Sequence, residues 1–231
     1  MKGICGINNC KSCNNKCLNH FFKPEEIEVF ENGETKQIKY KKGETIVKQG
    51  TFASHILFLI EGLVKIVIES SDSRVAILQL ASSGSFICLS ALYIDDYFPF
   101  TVVALKDCDV CLIKRDVFKQ QLLKNLKATE FVLHFYSNEC QYLYKRMSVL
   151  GTRNNHGKLA ETLLYLSKEE FRNEKVSKFL TRNDIAELAS ISLESANKIL
   201  NELKNDLIIS IKSDGIEINN TDLLERLSRI G

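Results

Sequence analysis

The chain has 231 residues, of which 45% are apolar and 26% charged, with a formal net charge of +2. This composition excludes a disordered tail or a fibre, and so small a charge announces no polyanionic partner by itself. No apolar run is long enough to span a bilayer, and the opening MKGICGINNCKSC lacks the apolar stretch of a secretion signal. A cytoplasmic protein with no membrane partner is expected, long enough for two small domains or one large one.

Residues 1–22 are rich in Cys, Asn and Lys and contain no acidic residue. They show no strand or helix period, so core burial alone cannot order them. Four of the eight cysteines, Cys5, Cys10, Cys13 and Cys17, crowd into this stretch. In a reducing compartment such cysteines point to metal or redox chemistry rather than to a disulfide framework. Cys10-x-x-Cys13-x-x-x-Cys17 brings three soft thiolates within reach of one centre. A zinc knot completed by Cys5, a thiol switch and an iron–sulfur cluster all fit that spacing.

Residues 23–32 read as a short helix with Pro24 near its start. The period then changes to that of strands: Gln37–Tyr40, Thr45–Lys48, Ile56–Glu61, Leu63–Glu69, Val75–Ala81, Ser85–Leu89, Phe100–Ala104 and Val110–Lys114. Turn signals such as KKGE, KQGTFAS, EG, SSDSR and KDCD separate them. Many short strands at this spacing predict an antiparallel roll or sandwich. Cys88, within one of these strands, and Cys108, in the KDCD turn, read as small buried hydrophobes.

From Asp116 to Arg153 there is neither Gly nor Pro before Gly151. Val132, Tyr136, Cys140, Leu143, Met147 and Leu150 recur at spacings of three and four, one apolar stripe on a long helix. A parallel copy of itself is the simplest cover for such a stripe, which predicts a homodimer seam. Beyond it, HGKLAETLLYLSKEEF reads as a helix. Thr181 can cap a second helix, TRNDIAELA. Ala189-Ser190-Ile191 is a short turn, and Ser192 caps a third helix, LESANKILNELKNDL. LIISIKSDGIEINN then turns as a hairpin at Ser213-Asp214-Gly215. Helix, turn, helix and hairpin make a winged helix-turn-helix.

A strand-rich roll, a long striped helix and this C-terminal motif together resemble the Crp/Fnr family of bacterial transcription regulators. The resemblance runs from about Val29 to the C-terminal helix. It is carried most strongly by TRNDIAELASISLESANKILNEL followed by LIISIKSDGIEI, and supported by KGETIVKQG, IEGLVKI and GSFI. It implies an α+β fold with a cyclic-nucleotide-binding-like jelly roll. The organisation it implies is a cysteine-rich segment (1–22), a β-roll sensor (23–124), a dimerisation helix (125–153) and a winged helix-turn-helix (154–231). It implies a regulator and not an enzyme, acting on a double-stranded DNA operator as a homodimer, with RNA polymerase as a partner.

Two departures bear on the effector. Cys88-Leu89-Ser90 stands where cyclic-nucleotide-binding members carry Gly-Glu, and Tyr97-Phe98-Pro99-Phe100 replaces their Arg-Ser pair. A buried phosphodiester needs a cation and donors, so the sequence argues against cyclic AMP. The Fnr branch instead holds a 4Fe-4S cluster on three N-terminal Cys and one in the roll. Matched to it, Cys10, Cys13, Cys17 and Cys111 are the ligands, with Cys5 the alternative to the roll Cys; the gap before Cys17 is three residues where that branch has five. Cys108 could stand in for Cys111 only if a turn at 106–109 relaxed strand alternation. Zinc, a thiol switch, haem or an organic effector in the roll are the other sensing chemistries, and an enzyme with a catalytic Cys is a further alternative. No Cys–His pair supports the last of these, and His20, His55, His134 and His156 show no ligand spacing and read as solvated or packed.

The recognition helix reads bases from its first turns. Glu194, Ser195, Asn197 and Lys198 point outward there, while Ile199, Leu200 and Leu203 form the buried face. Glu194 can accept from a cytosine or adenine amino group, Asn197 can pair with adenine, and Lys198 can donate to guanine O6 and N7. Ser195, Thr181 and Arg182 are expected on phosphates. From Arg153 onward there are 12 Lys/Arg against 13 Asp/Glu, so affinity must come from a local patch and from dimer avidity.

Overall fold

The computed structural model describes Phe22, residues 35–71, 75–93, 96–168, Phe171 and residues 176–230. The described residues fold as an antiparallel β-roll, a long helix and a C-terminal helix-turn-helix with a hairpin wing. Cys5, Cys10, Cys13, Cys17 and His20, and the helix expected at 23–32, lie outside the described residues. Among the described residues no helix is long and apolar enough to cross a membrane.

Among the described residues eight strands build the roll: β1 (Thr35–Tyr40), β2 (Thr45–Val47), β3 (His55–Glu61), β4 (Leu63–Glu69), β5 (Val75–Ser82), β6 (Ser85–Ile87), β7 (Thr101–Ala104) and β8 (Cys108–Lys114). They form two four-stranded sheets, ordered β1-β8-β3-β6 and β2-β7-β4-β5. Strand β3 is buried on both faces. Ile56 and Phe58 join an aromatic cluster with Phe86, Phe118 and Val132, while Leu57 and Leu59, on the opposite face by alternation, are also sealed. Gly62, between β3 and β4, has φ +138°. A Cβ there would sit 2.4 Å from the Cys108 sulfur, so only glycine lets the hairpin close over β8.

The Gly- and Pro-free stretch after the roll is two helices, α1 (Arg115–Leu122) and α2 (Leu126–Thr152). The break needs no helix breaker. Asn125 Oδ1 accepts from Ala128 N at 3.0 Å, and the Thr129 hydroxyl donates back to Leu122 O at 2.6 Å. Asn in this position competes with the helix backbone and starts a new helix. The C-terminal part contains α3 (Asn155–Leu166), α4 (Arg182–Ala189), α5 (Leu193–Asn205), β9 (Ile209–Lys212), β10 (Gly215–Ile218) and α6 (Thr221–Ile230). The described residues group into two compact units. One comprises residues up to Ile68 with Leu80–Cys140, the other Glu69–Gln79 with Gln141 onward. Strand β5 thus contributes residues to both.

Candidate nucleic-acid interface and cysteine sites

Local chemistry fixes both helices of the helix-turn-helix. At α4 a capping box closes around Thr181: its Oγ1 accepts from Asp184 N at 3.0 Å and donates to Asp184 Oδ2 at 2.7 Å. Its backbone N–H donates to the same carboxylate at 2.8 Å. Both donors of Thr181 are therefore committed, leaving none for a phosphate. The neighbouring Arg182 is half-buried, and its Nη1 has no hydrogen-bond partner. Ser190 ends α4 in the left-handed region, and Ser192 caps α5, its Oγ accepting from Ser195 N at 3.1 Å.

The burial of α5 follows the sequence pattern. Ala196, Ile199, Leu200 and Leu203 are buried, while Glu194, Asn197 and Lys198 are exposed on one face. Ser195 is half-buried: its Oγ accepts from Ser192 Oγ at 2.9 Å and lies 3.4 Å from Asn155 Nδ2. Asn155 borders the reading face, although sequence inspection singled out nothing before Thr181. The available signal was the Asn154-Asn155 pair. Asn154 Oδ1 caps α3, accepting from His156 N and Gly157 N at 2.9 and 3.1 Å. His156, expected to be merely solvated or packed, bonds Glu202 of α5 at 2.8 Å. A partner 46 residues away leaves no local spacing to find.

The wing turns at Ser213-Asp214 between β9 and β10. Ser177 seats it: its hydroxyl oxygen accepts from Ile216 N at 2.9 Å. A Cβ on Gly215 would meet that oxygen at 2.4 Å.

Among the described cysteines, Cys111 is the one that faces the aromatic cluster. It is 8% exposed on β8, in a buried group containing Phe22, Phe58, Phe86, Ile113 and Phe118. Its cross-strand neighbours are Gln37 and Phe58. Cys108 cannot take its place. β8 pairs with β1 residue for residue from Cys108 to Ile113, so strand alternation is not relaxed. The Cys108 thiol is instead engaged with Lys106 O at 3.2 Å and Leu63 O at 3.5 Å. Cys88 is buried, and burial pushes its thiol far above the ordinary range, which disfavours the thiolate a metal needs. Cys140 is exposed. Among the described residues no three His, Cys, Asp or Glu are grouped to hold a metal ion.

Around the position of the altered nucleotide motif, Leu89, Leu92 and Phe98 are buried. The nearby Arg115 is occupied, pairing with Asp96 at 2.9 Å and lying over the Phe52 ring.

The apolar stripe of α2 is not one surface. Val132 is 4% exposed and belongs to the roll core, so it offers nothing to a partner helix. Tyr136 packs on the same cluster and donates its hydroxyl proton to Leu89 O at 2.5 Å. Leu150 is half-buried. Cys140, Leu143 (44% exposed) and Met147 (71%) do face outward, and they are joined by Leu133 and Tyr144 (70%). The exposed row therefore runs Leu133, Cys140, Tyr144, Met147 with Leu143 at its edge; it keeps Cys140, Leu143 and Met147 of the predicted row and adds Leu133 and Tyr144. Periodicity finds apolar stripes but cannot say which of two adjoining ones faces its own core.

Residues 37–125 match the family model of a cyclic nucleotide-binding domain. Residues 157–227 match that of a Crp-like helix-turn-helix domain. The fumarate and nitrate reduction regulatory protein of Vibrio cholerae is 23% identical over 232 residues, covering 96% of this chain and 91% of that protein. The cAMP-activated global transcriptional regulator CRP of Pasteurella multocida is 24% identical over 187 residues, covering 79% of this chain and 90% of that protein. The solved structure of FixK2 from Bradyrhizobium japonicum shares the fold, with a TM-score of 0.73 at 20% identity over 84% of this chain and 96% of that one.

Proposed function

Because the chain belongs to the Crp/Fnr family of DNA-binding transcription regulators, we propose that it is a cytoplasmic homodimer acting on a pseudo-palindromic operator in contact with RNA polymerase. In this proposal it reports oxygen, nitric oxide or redox state through a 4Fe-4S cluster on Cys10, Cys13, Cys17 and Cys111. Residues 1–22, 23–124, 125–153 and 154–231 serve as ligand segment, sensor, dimerisation helix and DNA reader.

The carrying observation is the burial of Phe22 in the same group of side chains as Cys111. Phe22 lies five positions after Cys17, a span of at most about 17 Å. Anchoring Phe22 therefore limits how far Cys17 can lie from the face of β8 that bears Cys111. The donor set fits: four thiolates are what such a cluster takes, and Cys111 is the roll cysteine that shares a buried group with Phe22, whereas the Cys108 thiol is engaged with backbone carbonyls. The Vibrio cholerae relative also matches 96% of the chain, too much to leave out the whole cysteine segment. When bound, the cluster supplies an oxidant-labile tie between that segment and β8.

The chain's own residues carry the consequence inward. Phe22 meets Phe118 edge-on at 6.1 Å, Phe118 meets Phe86 at 5.8 Å, and Phe86 meets Phe131 of α2 at 5.8 Å. A shift of the segment is therefore felt at α2 as a change of packing, because close-packed side chains move in steps. Cyclic AMP is disfavoured as the effector: apolar side chains line the altered motif, and Arg115 is already paired. On the DNA, Glu194, Asn197 and Lys198 read bases, and Arg182 and Ser195 contact phosphates.

The test is an absorption spectrum with iron and sulfide assays on protein purified without oxygen. Broad brown absorption with iron and acid-labile sulfide supports the proposal. A sharp Soret band would mean haem, and colourless protein carrying zinc would mean a zinc knot.

A further inference from the structure

We propose that Arg146 is a positioning residue for DNA recognition, joining the backbone of β5 to the end of α4. Its Nη2 donates to Ile77 O at 3.1 Å and also to Leu188 O. One turn earlier on the same helix face, Tyr142 donates its hydroxyl proton to Leu78 O at 2.9 Å. Two donors of α2 thus hold consecutive carbonyls of β5, which is an edge strand of its sheet.

Leu188 is in the last turn of α4, where carbonyls have no partner within the helix. The amides that fold back at this end go elsewhere: Ser190 N to Ala186 O and Glu187 O, and Ile191 N to Ala186 O. A cation at a helix C-terminus is favoured by the helix dipole as well. Arg146 therefore fixes the point from which the chain turns, through the left-handed Ser190, into the cap of α5. A guanidinium suits the task, since one nitrogen offers two protons at a fixed angle. Displacing residues 77–78 moves Arg146, and Arg146 moves the start of the recognition helix.

The proposal rests on the reading of this chain as a dimer on a two-half-site operator. The full chain selects its operator from a random DNA pool. Affinity is then measured for that operator and for versions with half-sites moved one base pair apart or together, alongside thermal unfolding. Failure to select any two-half-site sequence would sink the dimeric reading; Arg146→Ala is then compared on the single site selected, where unchanged discrimination against random DNA overturns this proposal as well. With an operator in hand, Arg146→Ala should narrow the preference for native spacing by about five-fold or more, leaving random-sequence binding and the melting temperature little changed. Arg146→Lys should recover part of that preference. Unaltered spacing preference in Arg146→Ala, or its loss only in step with stability, overturns the proposal. If Arg146→Ala does not fold, Tyr142→Phe decides: it removes the donor to Leu78 O and should widen spacing tolerance in the same direction, and unchanged tolerance overturns the proposal.

Discussion

Single side chains separate the two kinds of cysteine in this molecule. Cys111→Ser replaces a soft ligand by a poor one and should abolish iron and sulfide retention, whereas Cys88→Ser should keep both; metal and sulfide analysis of the anaerobic variants checks this. On α5, Lys198→Ala should cost about 1–3 kcal/mol of operator discrimination while random DNA loses less. Equal loss on both, measured by competition binding, would place Lys198 on a phosphate. His55 gives a pH signature. Burial, then the nearby Lys114, lowers its pKa from 6.5, so the unfolded chain binds the proton first and stability should fall as pH drops below about 6.5. His55→Gln should flatten that part of a melting-temperature profile. The caps at Thr181 and Ser192 were legible because cap chemistry is local. The His156–Glu202 pair and the Arg146 bridge were not, since both join residues far apart in sequence.

At the scale of elements, period-2 patterning located all eight roll strands to within two residues, because turn residues punctuate them so regularly. Periodicity gave no sign of the break between α1 and α2, where an Asn cap does the work usually done by Gly or Pro; the start at 125 that the resemblance implied for the long helix falls at it. It also blurred the two stripes of α2. The exposed row Leu133, Cys140, Tyr144, Met147 contains no charge, so reduced, cofactor-free protein should sediment as a dimer at micromolar concentration. Tyr144→Glu should make it a monomer with a cooperative melt. Val132→Glu should instead unfold the roll, because it buries an unpaired charge among Phe86, Phe118 and Phe131. If Val132→Glu stays folded and Tyr144→Glu stays dimeric, the seam is the row first read from the sequence.

For the whole molecule, the anchor at Phe22 links the cysteine segment to everything that follows it. Phe22→Ala should lower the melting temperature through the cavity it leaves and should speed iron loss during anaerobic gel filtration. Faster loss without a change in cysteine content would mark the anchor, not the ligands, as the cause. The order of synthesis then matters. Phe22 and the four thiols before it leave the ribosome early, but their socket does not exist until Phe86, Cys111 and Phe118 have followed and the roll has closed. For most of the time the roll is being made, the thiols have no surface to dock on. Under the proposed function, cofactor loading would then be deferred until the sensor has folded, and a nascent chain arrested short of Phe118 should retain no iron.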